Sequence, residues 1–423
     1  MSASDHIEDG GILRFTTAGS VDDGKSSLIG RLLYDAHAVP DDQIKALERT
    51  ARRNGEDDID LSLLTDGLTA EREQGITIDV AYRYFATAKR KFIIADTPGH
   101  EQYTRNMVTG ASTADAAVIL VDARKGMTVQ TRRHLYLAHL LGIPHLIVAV
   151  NKMDLVGFDQ TTFAAVADSV AAFAAALGAE RPILVPISAK FGDNVVNTSA
   201  RTPWYGGKPL LAILEDLPQA VRLQHAPFRF PVQLVRRVPS RDGGQSRAYL
   251  GRIESGAVSV GDEITVLPAG SRTRVRAIST FEGALTRAFA PQSVSIEVED
   301  DVDIARGDLF APVAAPSKTG NRVEATLCWF ADEAFQGSGR FVVKQGTRTT
   351  PARISAIAHR VDVADLANEA DPKGLQRNDI ARVTLQFASP IAFDAYSDNR
   401  STGAFILIDE HTNATVAAGM IAA

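Results

Sequence analysis

A mostly parallel α/β sheet with helices on both faces, followed by two small antiparallel β-barrels, is the fold class this sequence predicts. Three observations carry the expectation. From about residue 13 to 190, short apolar runs alternate with amphipathic stretches, the rhythm of strand and helix repeats around a parallel sheet. After Pro218 the helical rhythm stops. From Val232 onward, short alternating runs are broken by Asp242-Gly-Gly244, Glu254-Ser-Gly256, Val260-Gly-Asp262 and Arg306-Gly-Asp308, turn signals at the spacing of barrel hairpins.

In order along the chain, strands are expected at Leu13 to Ala18, Lys91 to Ala95, Ala116 to Val121, His145 to Val150 and Ile183 to Pro186. Each ends in a polar or glycine-bearing turn, and open α/β sheets bind ligands at that edge. The first domain is placed at 1–222. Gln224 to Pro231 reads as a linker, with the first barrel at 226–313. The Pro- and Gly-containing stretch Ala311 to Gly320 then leads into the second barrel at 320–423. Ser240 to Ser246 superficially suggests a pyrophosphate-binding loop, but between barrel strands it reads as a hairpin turn. Arg306-Gly-Asp308 matches an adhesion tripeptide and is read as a turn as well.

Composition narrows the function. At 423 residues about three domains are expected. No apolar run approaches the roughly 20 residues needed to span a bilayer. The polar, acidic start has neither the basic region nor the apolar stretch of a secretory signal, so no membrane partner is expected and the cytoplasm is the expected address. Cys328 is the single cysteine, which forbids an internal disulfide, and its apolar neighbours give it a packing role. With 45 basic against 51 acidic residues the net charge is −6, a balance that disfavours nucleic acid as a partner.

The chemistry is carried by five segments. Gly19, Ser20, Val21, Asp22, Asp23, Gly24, Lys25 and Ser26 fit GxxxxGK[ST] directly after an expected strand and before an expected helix. Such a P-loop turns backbone N–H groups and a helix N-terminus toward phosphates; Lys25 reaches the β and γ oxygens and the Ser26 hydroxyl binds Mg²⁺. Asp96, Thr97, Pro98, Gly99 and His100 follow the strand Phe92 to Ala95. A strand ending in Asp96 can hold Mg²⁺ through water, Gly99 can offer its N–H to the γ-phosphate, and His100 is the catalytic candidate, placed to orient the attacking water. Between them, the Thr77 hydroxyl in Gly75-Ile-Thr-Ile-Asp79 can complete the Mg²⁺ shell while the γ-phosphate is present.

Asn151, Lys152, Met153 and Asp154 decide the base. The Asp154 carboxylate accepts two protons, which guanine offers at N1 and its exocyclic amine and adenine does not. GTP is therefore the expected cofactor, with Mg²⁺. Lys152 can lie along the purine face and Asn151 can brace the loop. Ser188, Ala189 and Lys190, after the last strand, can supply a backbone N–H to the guanine O6.

With these five elements in this order, the chain resembles the GTPases of the translation elongation factor group over essentially its whole length. Their first loop commonly carries histidine or serine before Gly-Lys, where this chain has Asp23. That departure, together with Asp66 to Phe85, Gly99 to Met107, Asp122-Ala-Arg-Lys-Gly126, Thr202-Pro-Trp-Tyr205 and the tail Asp398 to Asp409, resembles the family of large GTPase subunits of bacterial sulfate adenylyltransferase. The resemblance implies that GTP hydrolysis drives formation of adenosine 5′-phosphosulfate and diphosphate from ATP and sulfate. Adenylyl transfer would then lie in a separate small, ATP-using subunit, the implied partner. Some relatives carry a kinase domain for the product after the second barrel, and none is expected before the end at Ala423. The alternative is an elongation-factor-like GTPase that delivers aminoacyl-tRNA, against which the acidic balance, the Asp22-Asp23 loop and the tail argue.

Overall fold

A computed structural model describes residues 11–54, 59–64, 79–218, 223–239 and 245–422. The chain forms two compact units, Met1–Ala220 with Val363–Leu366 and Val221–Asp362 with Ala367–Ala423.

The first unit is built on a six-stranded sheet. Its strands are β1 (Ile12–Ala18), β2 (Ala81–Ala86), β3 (Lys91–Asp96), β4 (Ala116–Asp122), β5 (His145–Asn151) and β6 (Ile183–Pro186), in the order β2-β3-β1-β4-β5-β6. All neighbours run parallel except β2, which lies antiparallel to β3 at the edge. The five expected strands are all present. β4 is central and every one of its residues is buried, which is why Ala-Ala-Val-Ile-Leu-Val reads as a continuous apolar run rather than an alternating one.

Alternation then divides the sheet between two layers. Leu13, Phe15, Val118 and Leu120 join the core formed with Leu28, Ile29 and Leu32 of α1 (Lys25–Asp35) and Leu210, Leu211 and Leu214 near the C-terminal helix Leu210–Asp216. The intervening residues Ile119 and Val121 are equally buried. The elements to which the sequence reading assigns no range include the charged helix α2 (Asp41–Asn54) and strand β2. Further helices are α3 (Thr104–Ala111), α4 (Val129–Leu140) and α5 (Gln160–Ala176). Arg90, buried at the start of β3, donates to the carbonyls of Leu214, Glu215 and Leu217, occupying acceptors that the end of a helix leaves open.

The second unit contains two rings of antiparallel strands, each around its own apolar core. In the first ring Phe230–Pro231 pairs with Leu309–Pro312, and Leu234–Pro239 pairs with Gln245–Arg252, so one extended segment closes the sheet. The expected linker 224–231 is corrected in part here. Phe228 and Phe230 are core residues, and Phe230 stacks on Phe310 with centroids 5.6 Å apart. Pro231 sits at a strand end, where a missing N–H is tolerated. In the second ring six strands close through pairing of Phe341–Gln345 with Arg348–Val361. Cys328 is buried there on the strand Lys318–Trp329.

Between the two cores lies a buried ion pair. Arg229 donates from Nε and Nη2 to the two Asp394 oxygens at 2.8 and 2.9 Å, and from Nη1 to the carbonyls of Phe228 and Ala315. Asp394 also accepts the Ser317 and Thr402 hydroxyls. Charge and hydrogen-bonding capacity are thus both met, the condition for tolerating charges out of water.

Candidate functional site

Every described segment expected at the site lies at the C-terminal edge of the first unit's sheet. β1 delivers the phosphate loop, and Gly24 caps α1 in a left-handed conformation with φ 93°. Glycine suits that φ, and a Cβ there would also strike the Asn151 side chain. Asp23 is buried and accepts the Ser20 N–H at 2.7 Å. Burial pushes its carboxyl up, against the opposing pull of that hydrogen bond and of Lys25. Lys25 Nζ donates to the carbonyls of Gly19 at 2.8 Å and Ser20 at 3.0 Å. Burial lowers the Lys25 pKa, while Asp96, Asp23 and Asp22 act to keep its charge. Ser26 occupies the first turn of α1, Asp22 is exposed, and Ser20 and Val21 are half-buried.

β3 ends at Asp96, which is 2% exposed, lies in register with Thr17 and accepts its hydroxyl at 3.3 Å. Thr97 donates its hydroxyl to the Thr17 carbonyl at 2.7 Å. Pro98 and Gly99 are buried. Gly99 is pressed against the phosphate loop so closely that an added Cβ would collide with the Gly19 carbonyl and the Lys25 ammonium. The 96–100 segment and the phosphate loop therefore meet without a spacer. His100 is half-buried and accepts the Gln102 N–H on Nδ1 at 3.2 Å. Thr77 lies outside the described residues.

The base-reading segments are tied to the phosphate loop by one side chain. Asn151 Nδ2 donates to the Asp23 carbonyl at 2.8 Å, and Asn151 Oδ1 accepts the Ala189 N–H at 2.9 Å. Asp154 Oδ1 accepts the Ser188 hydroxyl at 2.7 Å, which leaves the second carboxylate oxygen to other donors. Lys152 reaches the Asp22 carbonyl and pairs with Asp122 Oδ2 at 3.1 Å. Burial alone would raise the Asp122 carboxyl, but hydrogen bonds from Arg124 and Lys152 hold it well below the usual range. Met153 is fully buried, so it contributes backbone and packing to the loop. Lys190 is exposed.

Gly24 and the base-reading residues Asn151, Lys152, Asp154, Ala189 and Lys190 line a cleft of about 970 Å³ together with residues that carry no motif signature, among them Arg31, Leu61, Phe158, Phe191 and Arg201. The Arg201 guanidinium lies 4.5 Å from the Phe158 ring centroid and 5.2 Å from that of Phe191, and its Nε donates to Asp193 at 2.9 Å. Trp204 Nε1 holds the Phe158 carbonyl at 3.0 Å, so the Thr-Pro-Trp-Tyr segment supports this wall of the cleft. A positively charged group stacked on two rings cannot be read from spacing, because its ring partners come from two separate loops.

The family model described as elongation factor Tu GTP binding domain matches residues 11–225, and one described as GTP-eEF1A C-terminal domain-like matches residues 322–422. The bifunctional enzyme CysN/CysC of Mycobacterium tuberculosis is 53% identical over 411 residues, covering 97% of this chain and 67% of that protein. Sulfate adenylyltransferase subunit 1 of Saccharophagus degradans is 50% identical over 412 residues, covering 97% of this chain and 86% of that protein. The bifunctional enzyme NodQ of a Rhizobium species is 49% identical over 412 residues, with 97% and 63% covered. The chain thus spans about two thirds of the bifunctional relatives' length and most of the length of the subunit 1 relative.

Proposed function

The chain belongs to the sulfate adenylyltransferase subunit 1 family, whose nucleotide domain is of the elongation factor Tu type, and from that premise we propose how its residues do the work. It is the GTPase subunit of the enzyme that forms adenosine 5′-phosphosulfate and diphosphate from ATP and sulfate, and GTP hydrolysis drives that reaction. The carrying observation is Asn151, which links the phosphate loop at Asp23 to the Ser188-Ala-Lys190 segment beside Asp154. Phosphate and base are read by one braced frame, and its acceptor carboxylate favours guanine.

In this reading Gly19 to Ser26 hold the phosphates, Asp154 selects the base, Lys152 flanks it and the Ser188-Ala-Lys190 segment borders it, with the Ala189 N–H held by Asn151. His100 orients the attacking water and Gly99 senses the γ-phosphate. Ser26 and Asp96 offer the hard oxygen donors that Mg²⁺ prefers, and that ion usually takes one or two protein oxygens beside water and phosphate. Bound there, it would offset charge on the phosphates. Thr77 would add a third oxygen.

Three domains, 1–222, 226–313 and 320–423, are proposed, and among the described residues a large apolar cluster falls within each. Adenylyl transfer is assigned to a small ATP-using partner subunit, in keeping with one phosphate loop and a base reader suited to guanine. Among the described residues no helix is long and apolar enough to cross a membrane. A cytoplasmic location is proposed, in keeping with the enzyme family to which the chain belongs.

Forming a phosphosulfate anhydride is uphill, so a second hydrolysis drives it only when both are linked through a conformational step. The test measures GTP hydrolysis and adenosine phosphosulfate yield with and without the small subunit, ATP and sulfate. The complex with GTP should exceed the product level reached with a non-hydrolysable analogue, and Lys25→Ala should abolish the excess. Yield indifferent to GTP, or GTP-dependent binding of aminoacyl-tRNA, overturns the proposal.

A further inference from the structure

Gly99 is held from behind by a side chain that belongs to none of the five motifs. Gln130 lies in the first turn of α4, and its Nε2 donates to the Gly99 carbonyl at 3.0 Å. The same nitrogen lies 3.1 Å from Nε2 of His134, one turn further along. An amide nitrogen only donates, so His134 Nε2 accepts and the ring proton sits on Nδ1. Arg133 Nη1 donates to Gln130 Oε1 at 3.2 Å, which fixes the amide the same way round.

His134 is 1% exposed, and among the described residues its Nδ1 has no hydrogen-bond partner. A buried donor without an acceptor is costly, and an aliphatic side chain would avoid the cost. What the ring provides instead is a fixed acceptor for Gln130. Burial, with Lys25 and Arg133 nearby, pushes the imidazole down to about 3, so that acceptor stays unprotonated at neutral pH. The same turn of α4 reaches the other half of the phosphate site, where the Thr128 hydroxyl, which also caps the helix, shares a hydrogen bond with Ser20 Oγ at 3.1 Å.

We propose that Gln130, oriented by His134, is a positioning residue for GTP hydrolysis: it fixes the plane of the Gly99–His100 peptide and so the direction from which His100 addresses the attacking water. Gln130 touches neither nucleotide nor water in this scheme. The inference rests on reading residues 96–100 as the γ-phosphate loop.

The test uses the full chain with Mg²⁺ and compares equilibrium GTP binding with single-turnover hydrolysis. Gln130→Met keeps the shape and removes the donor. GTP affinity should stay within about threefold while hydrolysis slows by about tenfold to a hundredfold, the scale of a misplaced reacting group. His134→Leu should slow hydrolysis in the parent chain yet add nothing in the Gln130→Met background, because the ring acts only through the amide. Hydrolysis at the parent rate in Gln130→Met, additive effects of the two substitutions, or binding lost in step with hydrolysis each overturn the inference. If His134→Leu fails to fold, the split between binding and hydrolysis in Gln130→Met decides alone. Lys25→Ala serves as the control: GTP binding that survives it means the nucleotide site itself was misread. Binding abolished there, with Gln130→Met hydrolysing normally, removes the positioning role only.

Discussion

Asn151 donates to the backbone carbonyl of Asp23 at 2.8 Å across 128 residues of sequence, joining the loop that would read a base to the loop that would hold phosphates. Both of its amide ends are used, since Oδ1 takes the Ala189 N–H. Asn151→Ala would leave a buried carbonyl and a buried N–H unpaired, at about 1–3 kcal/mol each. GTP affinity should therefore fall at least about tenfold, measured by titration calorimetry. A change smaller than threefold would show that the brace does not matter for binding.

Asp154→Asn replaces an acceptor by a donor opposite the guanine edge. Binding of GTP should weaken, and xanthosine triphosphate should become the better ligand in a competition assay. Unchanged preference would remove Asp154 as the base reader.

His100→Ala should separate binding from chemistry. Among the described residues the half-buried ring makes contacts local to its loop, with Gln102 and Tyr103, so the fold should tolerate its removal. Hydrolysis should drop by roughly 10²-fold while GTP affinity stays within threefold. Equal losses in both would make His100 a structural residue.

Asp394→Ala would strand the Arg229 guanidinium out of water, and breaking a buried pair in this way costs about 3–5 kcal/mol. The second unit should unfold at lower urea, followed through Trp329 fluorescence. The effect has a pH signature. Burial alone would raise the Asp394 carboxyl, but Arg229, Thr402 and Ser317 together hold it below its ordinary value. A depressed native pKa contributes stability that is complete above the unfolded pKa and is lost as pH falls through the native one. The gap between parent and variant should therefore be constant near neutrality and shrink below about pH 4. A gap that persists unchanged into strong acid would exclude the ion pair as its source.

What the sequence made legible follows from where the chemistry is concentrated. A phosphate loop requires glycine at fixed positions, so Gly19, Gly24 and Lys25 announce themselves, and Asp96 is marked by the apolar strand before it. Gln130 and His134 left no such mark, because they act on a backbone carbonyl that many residue types could contact. Arg201 was equally silent, its ring partners being remote in sequence. The charged α2 lacks an extended apolar run, and β2 is an edge strand with Tyr84 largely exposed, so neither stood out. Phe228 and Phe230 read as linker in a segment flanked by Pro227 and Pro231, yet a proline at a strand end does not prevent its neighbours from entering a core.

The six-stranded ring of the second unit, closed where Phe341–Gln345 meets Arg348–Val361, gives each of its six strands two partners, and the short strand Asn368–Ala370 is added to Arg348–Val361 as the edge of the sheet. Closure of this kind removes the template on which a foreign strand could zip up, and with it a common route to fibrous aggregation. It also dictates the language in which that ring can be addressed. Away from that short edge, a molecule that docks there has no main-chain ladder to extend and must recognise the pattern of side chains on the outer wall, so specificity for it can drift by single surface substitutions without disturbing the scaffold beneath.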